Sequence, residues 1–507
     1  MSKRRFYITT AIPYVNGDPH LGFALECVQA DVLARHRRLR GEEVRFLSGT
    51  DDNSLKNVEA AEAAGVPVAN FVNAKAARFA ALRGVLSLSY DDFIRTSVDP
   101  RHRRGVERLW RECAATGDLY ERDYEGLYCT GCEAFLSPGE FVAGLCPEHR
   151  RPPQHVAERN WFFRLSRYEE ELLALIQSGR LRVEPEHRRE EALGFIRGGL
   201  ADFSVSRSRE RARGWGIPVP DDAAQVIYVW FDALGNYVSA LDYGTGGDRY
   251  RTWWEQSEER VHVIGKGIIR FHAVYWPAIL LSAGESLPTT IFVHEYLTVD
   301  GQKLSKSRGV SADPAALAAQ YGTDALRWWL IRNVPRSGDT DFRDALLATR
   351  ANELADDLGN LVNRTITLVS RFRPNGVRST PPPSEPPAVI ARTSGAIDEA
   401  LDRFDFRAAA DALWDVVNEA NRFVSATRPW ELAKAERSDA AVTARLDAVL
   451  AVLLTACQTI AQELRPFLPD AATRIEQALE QRDPNLGRTL FPKEERLRLP
   501  RSRRVGS

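Results

Sequence analysis

Methionine is all but absent from this chain: Met1 is the only one in 507 residues. Ordinary usage gives several more. Either composition has drifted in an Arg- and Ala-rich sequence, or selection has removed a residue that is scarce when the protein must be made. Cysteine is sparse too, six in all, which excludes a disulfide-stapled secreted scaffold and fits a reduced cytoplasm. Neither sign of charge is in excess, with 68 Lys and Arg against 69 Asp and Glu. That balance excludes holding nucleic acid by bulk positive charge alone, but not by a local basic surface. The most apolar stretch, 261–283, carries His262, Lys266, Arg270 and His272, so it reads as buried core and not as a membrane span. The opening MSKRRFYITT has no apolar run of the kind a secretory signal needs. A cytoplasmic protein without membrane attachment is the expectation.

What is present is the composition of a soluble globular protein of roughly three or four domains, 44% hydrophobic and 27% charged. Residues 5–11 (RFYITTA) read as a strand, followed by a turn rich in Pro, Asn, Gly and Asp. His20 opens a helix with apolar Leu21, Leu25, Val28 and Val32, which Gly41 ends after a basic last turn. Residues 44–48 (VRFLS) read as a second strand. Two strands joined by a helix imply a parallel sheet, with ligands at the strands' carboxyl ends. Those ends are the polar turns 10–20 and 49–53.

Residues 116–225 differ in texture and read as an insertion between sheet halves at 1–115 and 226–295. Strand–helix texture resumes at 226–230 and 262–264, and 289–294 is a further strand. Residues 296–345 form a connecting region. From 346 to 495 helices are expected almost throughout, at 352–371, 391–402, 407–427 and 440–467, as a bundle. Six prolines in 373–389 interrupt it. The basic end, 496–507, reads as a solvated tail.

Cys129-x2-Cys132 and Cys146-x2-His149 lie thirteen residues apart. Two close ligand pairs across a short loop close a tetrahedral site of three sulfurs and one nitrogen. No position is left for water, so the spacing points to a structural zinc. Cys27, Cys113 and Cys457 sit among apolar neighbours and read as small buried hydrophobes.

His20-Leu21-Gly22-Phe23 stands at a helix N-terminus after a strand, where unpaired N–H groups welcome an anion. Lys303-Leu304-Ser305-Lys306-Ser307 lies in a turn-rich loop, and two lysines with interleaved hydroxyls can clasp a triphosphate. Together these motifs resemble the two signatures of class I aminoacyl-tRNA synthetases. The segments ITTAIPYVNGDPHLG, YVWFDALGNYVSAL, HVIGKGIIRFHAVYWPAILLSAG, LTVDGQKLSKSRG, YGTDALRWWLIR, GNLVNRT and RPWELAK resemble, in order, the methionyl-tRNA synthetase family over about 5–480.

The resemblance implies a Rossmann-like parallel-sheet catalytic domain split by a zinc-knuckle insertion, then an all-α anticodon-binding domain. It implies ATP with Mg²⁺, methionine or a related amino acid, and tRNA as acceptor. His20, Lys303 and Lys306 would be catalytic, with Gly22, Ser305 and Ser307 joining them around ATP. Ile12, Tyr14, Trp230, Ala233, Leu234, Tyr237, Ile268 and His272 would line the methionine pocket, where rings suit a thioether. Asp51 would hold the substrate ammonium. Trp430 would stack on an anticodon base with Arg371 and Thr367 nearby. A monomer is expected. The insertion looks too small for a large hydrolytic editing domain, which leaves discrimination to the pocket.

Several positions depart from the family pattern. Phe23 stands for a second His, Asn53 lies in an altered Thr-Asp-Glu-His-Gly, Gly267 replaces a ribose-gripping Asp, and Val310 and Thr367 each stand for Asn. Two other readings therefore stay open at this level. One is a paralogue that hands an activated amino acid to a small-molecule acceptor; the other is an inactive tRNA-binding or regulatory homologue.

Overall fold

The computed structural model describes residues 3–129, 134–136, 139, 141–147, 150–303, 312–377, 388–436 and 439–491. Two compact units divide the chain. The first takes in residues 1–83, 88–296 and 304–311; the second takes in 84–87, 297–303 and 312–507.

In the first unit β1 (Arg5–Thr10), α1 (Leu21–Leu39) and β2 (Glu43–Thr50) make the expected βαβ start. Next come α2 (Leu55–Ala63), α3 (Val68–Val85), β3 (Asp92–Arg95) and α4 (Pro100–Ala115). Beyond them are β4 (Leu119–Cys129), β5 (Ala134–Leu136), β6 (Gln154–Phe163), α5 (Glu169–Gln177), β7 (Arg182–Glu184), α6 (Glu186–Arg197), β8 (Phe203–Ser204), β9 (Ser206–Ser208), β10 (Pro218–Val219) and β11 (Asp222–Ile227). The unit closes with α7 (Val229–Leu234), α8 (Asn236–Ser239), one-turn α9 (Asp248–Tyr250), β12 (Glu259–Gly265), α10 (Trp276–Ser282) and β13 (Thr290–His294).

The main sheet runs β3-β2-β1-β12-β13-β7, every pair parallel. Five of the six residues of β1 and all five of β13 are buried, as expected for strands covered on both faces. Strand order turns back between β1 and β12, which makes their carboxyl ends the ligand crevice of such a sheet. The apolar stretch 261–283 is core: it supplies β12, a π turn at Phe271–Tyr275, and α10 with fully buried Trp276.

Residues 116–225 build an antiparallel sheet, β5-β4-β6-β8, and a smaller one, β10-β11-β9. The reading of that interval as wholly an insertion needs correction. β7 lies inside it, yet pairs in parallel with β13 as the edge of the main sheet. The strand expected at 226–230 is also shorter. It ends at Ile227, and Val229 opens α7.

The second unit begins with β14 (Leu297–Val299) and β15 (Gln302–Lys303), followed by α11 (Pro314–Tyr321), α12 (Thr323–Arg332) and β16 (Thr340–Asp341). These three strands form a small sheet, β15-β14-β16. The rest is helical: α13 (Asp344–Glu353), a π segment (Leu354–Gly359), α14 (Asn360–Phe372), α15 (Ala388–Asp402), α16 (Phe406–Thr427), α17 (Pro429–Ala435), α18 (Ala440–Leu464), α19 (Pro469–Gln481) and α20 (Pro484–Arg488). Most of the proline-rich interruption, 378–387, and the basic tail, 496–507, lie outside the described residues. α18 is long and apolar enough to cross a membrane by composition, but Leu446, Leu450, Leu453 and Ile460 are buried within the protein. Arg327 on α12 is fully buried and donates to the carbonyls of Leu86, Pro466 and Phe467.

Candidate active site

The crevice end of β1 leads to His20, the N-cap of α1. Its Nδ1 accepts the Gly22 N–H at 3.1 Å, so a neutral ring carries its proton on Nε2. A helix N-terminus with an added N–H donor is suited to a phosphate. A Cβ at Gly22 would lie 3.0 Å from His20 Cε1, close enough that the ring would have to give by a few tenths of an ångström. Phe23 turns into the core, 7% exposed, with its ring edge-on to Phe79 at 5.4 Å.

One turn on, buried Glu26 accepts the Ala11 N–H at 2.8 Å and meets His294 Nε2 at 3.0 Å, tying the ends of β1 and β13. Burial pushes the Glu26 carboxyl up despite the His294 contact. Glu295 carries Arg188 at 2.5 Å, His187 at 2.7 Å and Lys266 at 3.3 Å. Burial opposes its ionisation, but the Arg188 and His187 hydrogen bonds outweigh burial and hold it below the usual carboxylate range. Gly267, beside Lys266, is exposed.

Across the β1–β12 boundary lies an aromatic cluster. Tyr14 sits edge-on to Trp230 at 6.3 Å, and Trp230 stacks on Phe271 at 3.7 Å. Trp230 is also edge-on to His272 at 6.4 Å. The Tyr237 hydroxyl and His272 Nε2 are 2.7 Å apart, while His272 Nδ1 donates to Ile268 O at 2.9 Å. With Nδ1 donating, Nε2 of the neutral ring accepts the Tyr237 proton. Burial lowers His272 to about 4 and pushes Tyr237 well up. Behind this pair, His262 stacks on Tyr237 at 4.0 Å, accepts from Trp276 Nε1 at 3.2 Å, and meets Thr9 Oγ1 at 2.8 Å. Burial holds His262 far below its usual range. Tyr237, His272 and His262 are therefore uncharged near pH 7, which suits a neutral sulfur-bearing side chain. Ala233 and Leu234 are buried on α7, the helix that carries Trp230, and Ile12 packs against the same core.

The end of β2 brings Asp51 beside Tyr14, as an isolated parallel bridge with the Asp51 N–H on Pro13 O at 3.0 Å. Asp51 is 1% exposed and accepts the Asn53 N–H at 3.1 Å. Asp52, next to it, is fully occupied: Arg95 donates twice, at 3.0 and 2.7 Å, and Ser97 and Thr50 hydroxyls donate at 2.7 and 2.9 Å.

All nine residues expected around an amino acid thus lie in the first unit, where Tyr14, Trp230, Tyr237 and His272 are joined by ring or hydrogen-bond contacts. Lys303 is placed only as backbone in β15, and Ser305, Lys306, Ser307 and Val310 lie outside the described residues. Of the metal set, Cys132 and His149 also lie outside them, while Cys129 and Cys146 are each 1% exposed. Among the described residues no group of three or more ligands is placed to hold a metal. Cys146 and Cys129 are buried although Val142 and Leu145 beside Cys146 are 66% and 37% exposed. Cys146, buried beside exposed apolar neighbours, fits ligation better than core packing, whereas Cys129 is buried beside an equally buried Tyr128. In the second unit Thr367 and Arg371 lie four apart on α14, and Trp430, 42% exposed, lies on α17. Leu368 and Phe372 of α14 and Leu432 of α17 pack on one cluster, Val369, Leu446 and Leu450.

Sequence reading missed Phe271, His262, Trp276, Glu26, His294, Asp232 and His102. Their hydrogen-bond or ring partners are mostly distant in sequence, and no local pattern signals such pairings.

Two family models match the chain: tRNA synthetases class I (M), over residues 6–155 and 149–366, and the anticodon binding domain of methionyl tRNA ligase, over 374–498. The methionine–tRNA ligase of Caldanaerobacter subterraneus subsp. tengcongensis is 38% identical over 480 residues, covering 93% of this chain and 73% of that protein. That of Mycobacterium tuberculosis H37Rv is 39% identical over 483 residues, covering 93% and 91%. The solved structure of Mycobacterium tuberculosis methionyl-tRNA synthetase in complex with methionyl-adenylate matches with a TM-score of 0.86 at 38% identity, covering 93% of each chain.

Proposed function

The chain belongs to the methionyl-tRNA synthetase family of class I aminoacyl-tRNA synthetases, and from that premise we propose how its residues carry out methionine–tRNA ligation. Methionine is activated by ATP to methionyl-adenylate, then esterified to the 3′ end of its tRNA. The observation that decides the acceptor is the anticodon-binding match on residues 374–498 of the same chain. That module favours tRNA over a small-molecule acceptor and an active ligase over an inactive homologue.

The methionine carboxylate attacks the α-phosphate and pyrophosphate leaves; the tRNA ribose hydroxyl then attacks the acyl carbon and AMP leaves. Tyr237 and His272, with Trp230, Tyr14, Ile12, Ala233, Leu234 and Ile268, would enclose the thioether, supported by the buried, uncharged Tyr237–His272 pair and the rings around it. Asp51 would take the ammonium by a charge-assisted bond. His20 Nε2–H and the amides near Gly22 would meet phosphate, with Lys303, Ser305, Lys306 and Ser307 stabilising the departing pyrophosphate. Mg²⁺ would accompany ATP. Cys129, Cys132, Cys146 and His149 would hold a structural zinc that fixes the insertion and takes no part in the chemistry. Thr367, Arg371 and Trp430 would read the anticodon, Trp430 by stacking. The divisions 1–115, 116–225, 226–295, 296–345, 346–495 and 496–507 remain the proposed functional domains, with β7 returned to the sheet. A cytoplasmic monomer is the proposed state.

Methionine-dependent ATP–pyrophosphate exchange, followed by charging of methionine tRNA, tests the reading. Exchange and charging are both expected. Exchange without charging would hand the case to a small-molecule acceptor, and no exchange with any amino acid would leave a dead homologue.

A further inference from the structure

We propose that Asn53 is the positioning residue that sets the ammonium-binding carboxylate of Asp51, and that a buried Asp232–His102 pair holds Asn53 in place. The inference rests on the reading of Asp51 as the ammonium anchor.

Asn53 has two roles at once. Its backbone N–H donates to Asp51 Oδ1 at 3.1 Å, and its side-chain Nδ2 donates to Asp232 Oδ2 at 2.7 Å. Asp232 is fully buried on α7, the helix that presents Trp230, Ala233 and Leu234 to the pocket. The amide therefore ties the turn after β2 to the aromatic wall facing it. A donor is required at residue 53, because its partner is a carboxylate.

The carboxylate is itself fixed. Asp232 Oδ1 meets His102 Nε2 at 2.5 Å, and His102 Nδ1 meets Ser239 Oγ at 2.9 Å. His102 Nε2–H donates to the carboxylate while Nδ1 and the Ser239 hydroxyl share the second bond, so the ring is held at both ends. His102 and Ser239 are fully buried on α4 and α8. Those helices meet so closely that a Cβ on Gly105 would lie 2.5 Å from Ser239 Cβ. The line from α4 and α8 through Asp232 and Asn53 to Asp51 thus starts in rigid core and ends at the pocket. A preorganised carboxylate loses less freedom when it takes a ligand.

The test uses the full-length protein and three probes: methionine, methioninol and 4-(methylthio)butanoate, which keeps the thioether and carboxylate but lacks the ammonium. Asn53→Ala is expected to weaken methionine and methioninol by about tenfold or more, the change a hydrogen bond to a charged group supports. Butanoate binding and the KM for ATP should stay unchanged. Asn53→Ser supplies the same comparison if the alanine variant does not accumulate. Equal weakening of all three probes, or of none, would overturn the proposal and make Asn53 structural only. Asp51→Asn separates the two readings. If it abolishes the preference for ammonium-bearing probes while Asn53→Ala keeps it, the Asn53 proposal falls alone. If Asp51→Asn keeps that preference, the anchor reading falls with it.

Discussion

His272 offers a quantitative test of the pocket. Burial lowers it to about 4 from an ordinary value of 6.5. The unfolded chain therefore binds that proton more readily than the folded one. Stability is whole above about pH 6.5, falls as the pH drops from 6.5 toward 4, and loses nothing further from this group below 4. For one such residue the loss between pH 7 and pH 5 is about 2 kcal/mol, approaching about 3 kcal/mol in the limit. The perturbation is His272→Gln, whose amide oxygen can still accept from the Tyr237 hydroxyl. Urea unfolding followed by tryptophan fluorescence at pH 7 and pH 5 reads the difference. The parent should lose about 2 kcal/mol more than the variant between the two values. Histidine-labelled NMR gives the direct check, the His272 signal being the one missing from the variant. A His272 resonance titrating between pH 6 and 7 in the parent, or the same pH slope in both proteins, would refute the burial argument.

Gly22→Ala should slow pyrophosphate exchange with little change in the KM for methionine, since the new Cβ lies 3.0 Å from His20 Cε1 and pushes that ring by a few tenths of an ångström; steady-state exchange kinetics decide it. Phe23→His restores a residue type the family uses, yet it should cost about 2 kcal/mol in denaturant unfolding and gain no activity, because it would bury an imidazole against Phe79 where an apolar ring now packs. Trp430→Ala should leave exchange untouched and lower charging of methionine tRNA by roughly tenfold or more, as loss of one stacked base predicts.

The elements that follow from sequence are those whose reasons are local. The β1–α1–β2 unit is legible because a β-branched and aromatic run, a capping His20 and a terminal Gly41 all act within a few residues. The helices of the second unit follow from periodic apolar positions, as in α16 and α18. β7 is not legible: Arg182-Val183-Glu184 has no apolar run, and only its pairing with β13 makes it a strand. The aromatic run at 226–230 misleads for the opposite reason. Its β-type composition runs on past Ile227, but α7 begins at Val229 and carries Trp230 to the aromatic cluster.

The same distinction separates the changed positions. In sequence Phe23 and Asn53 are equivalent, each a departure beside a signature motif. In the structure they have different fates. Phe23 has left the crevice for the core, where Phe79 occupies its edge. Asn53 keeps a polar task, because its amide meets the one acceptor oxygen that Asp232 does not give to His102. A substitution next to a motif therefore says little about lost chemistry until its side chain's partner is known. Both partners lie far away in sequence, at residues 79 and 232. Phe23 thus removes a polar group from the phosphate end without opening a void, whereas Asn53 keeps the methionine end braced. What distinguishes this chain should therefore appear in its handling of ATP before it appears in its handling of methionine.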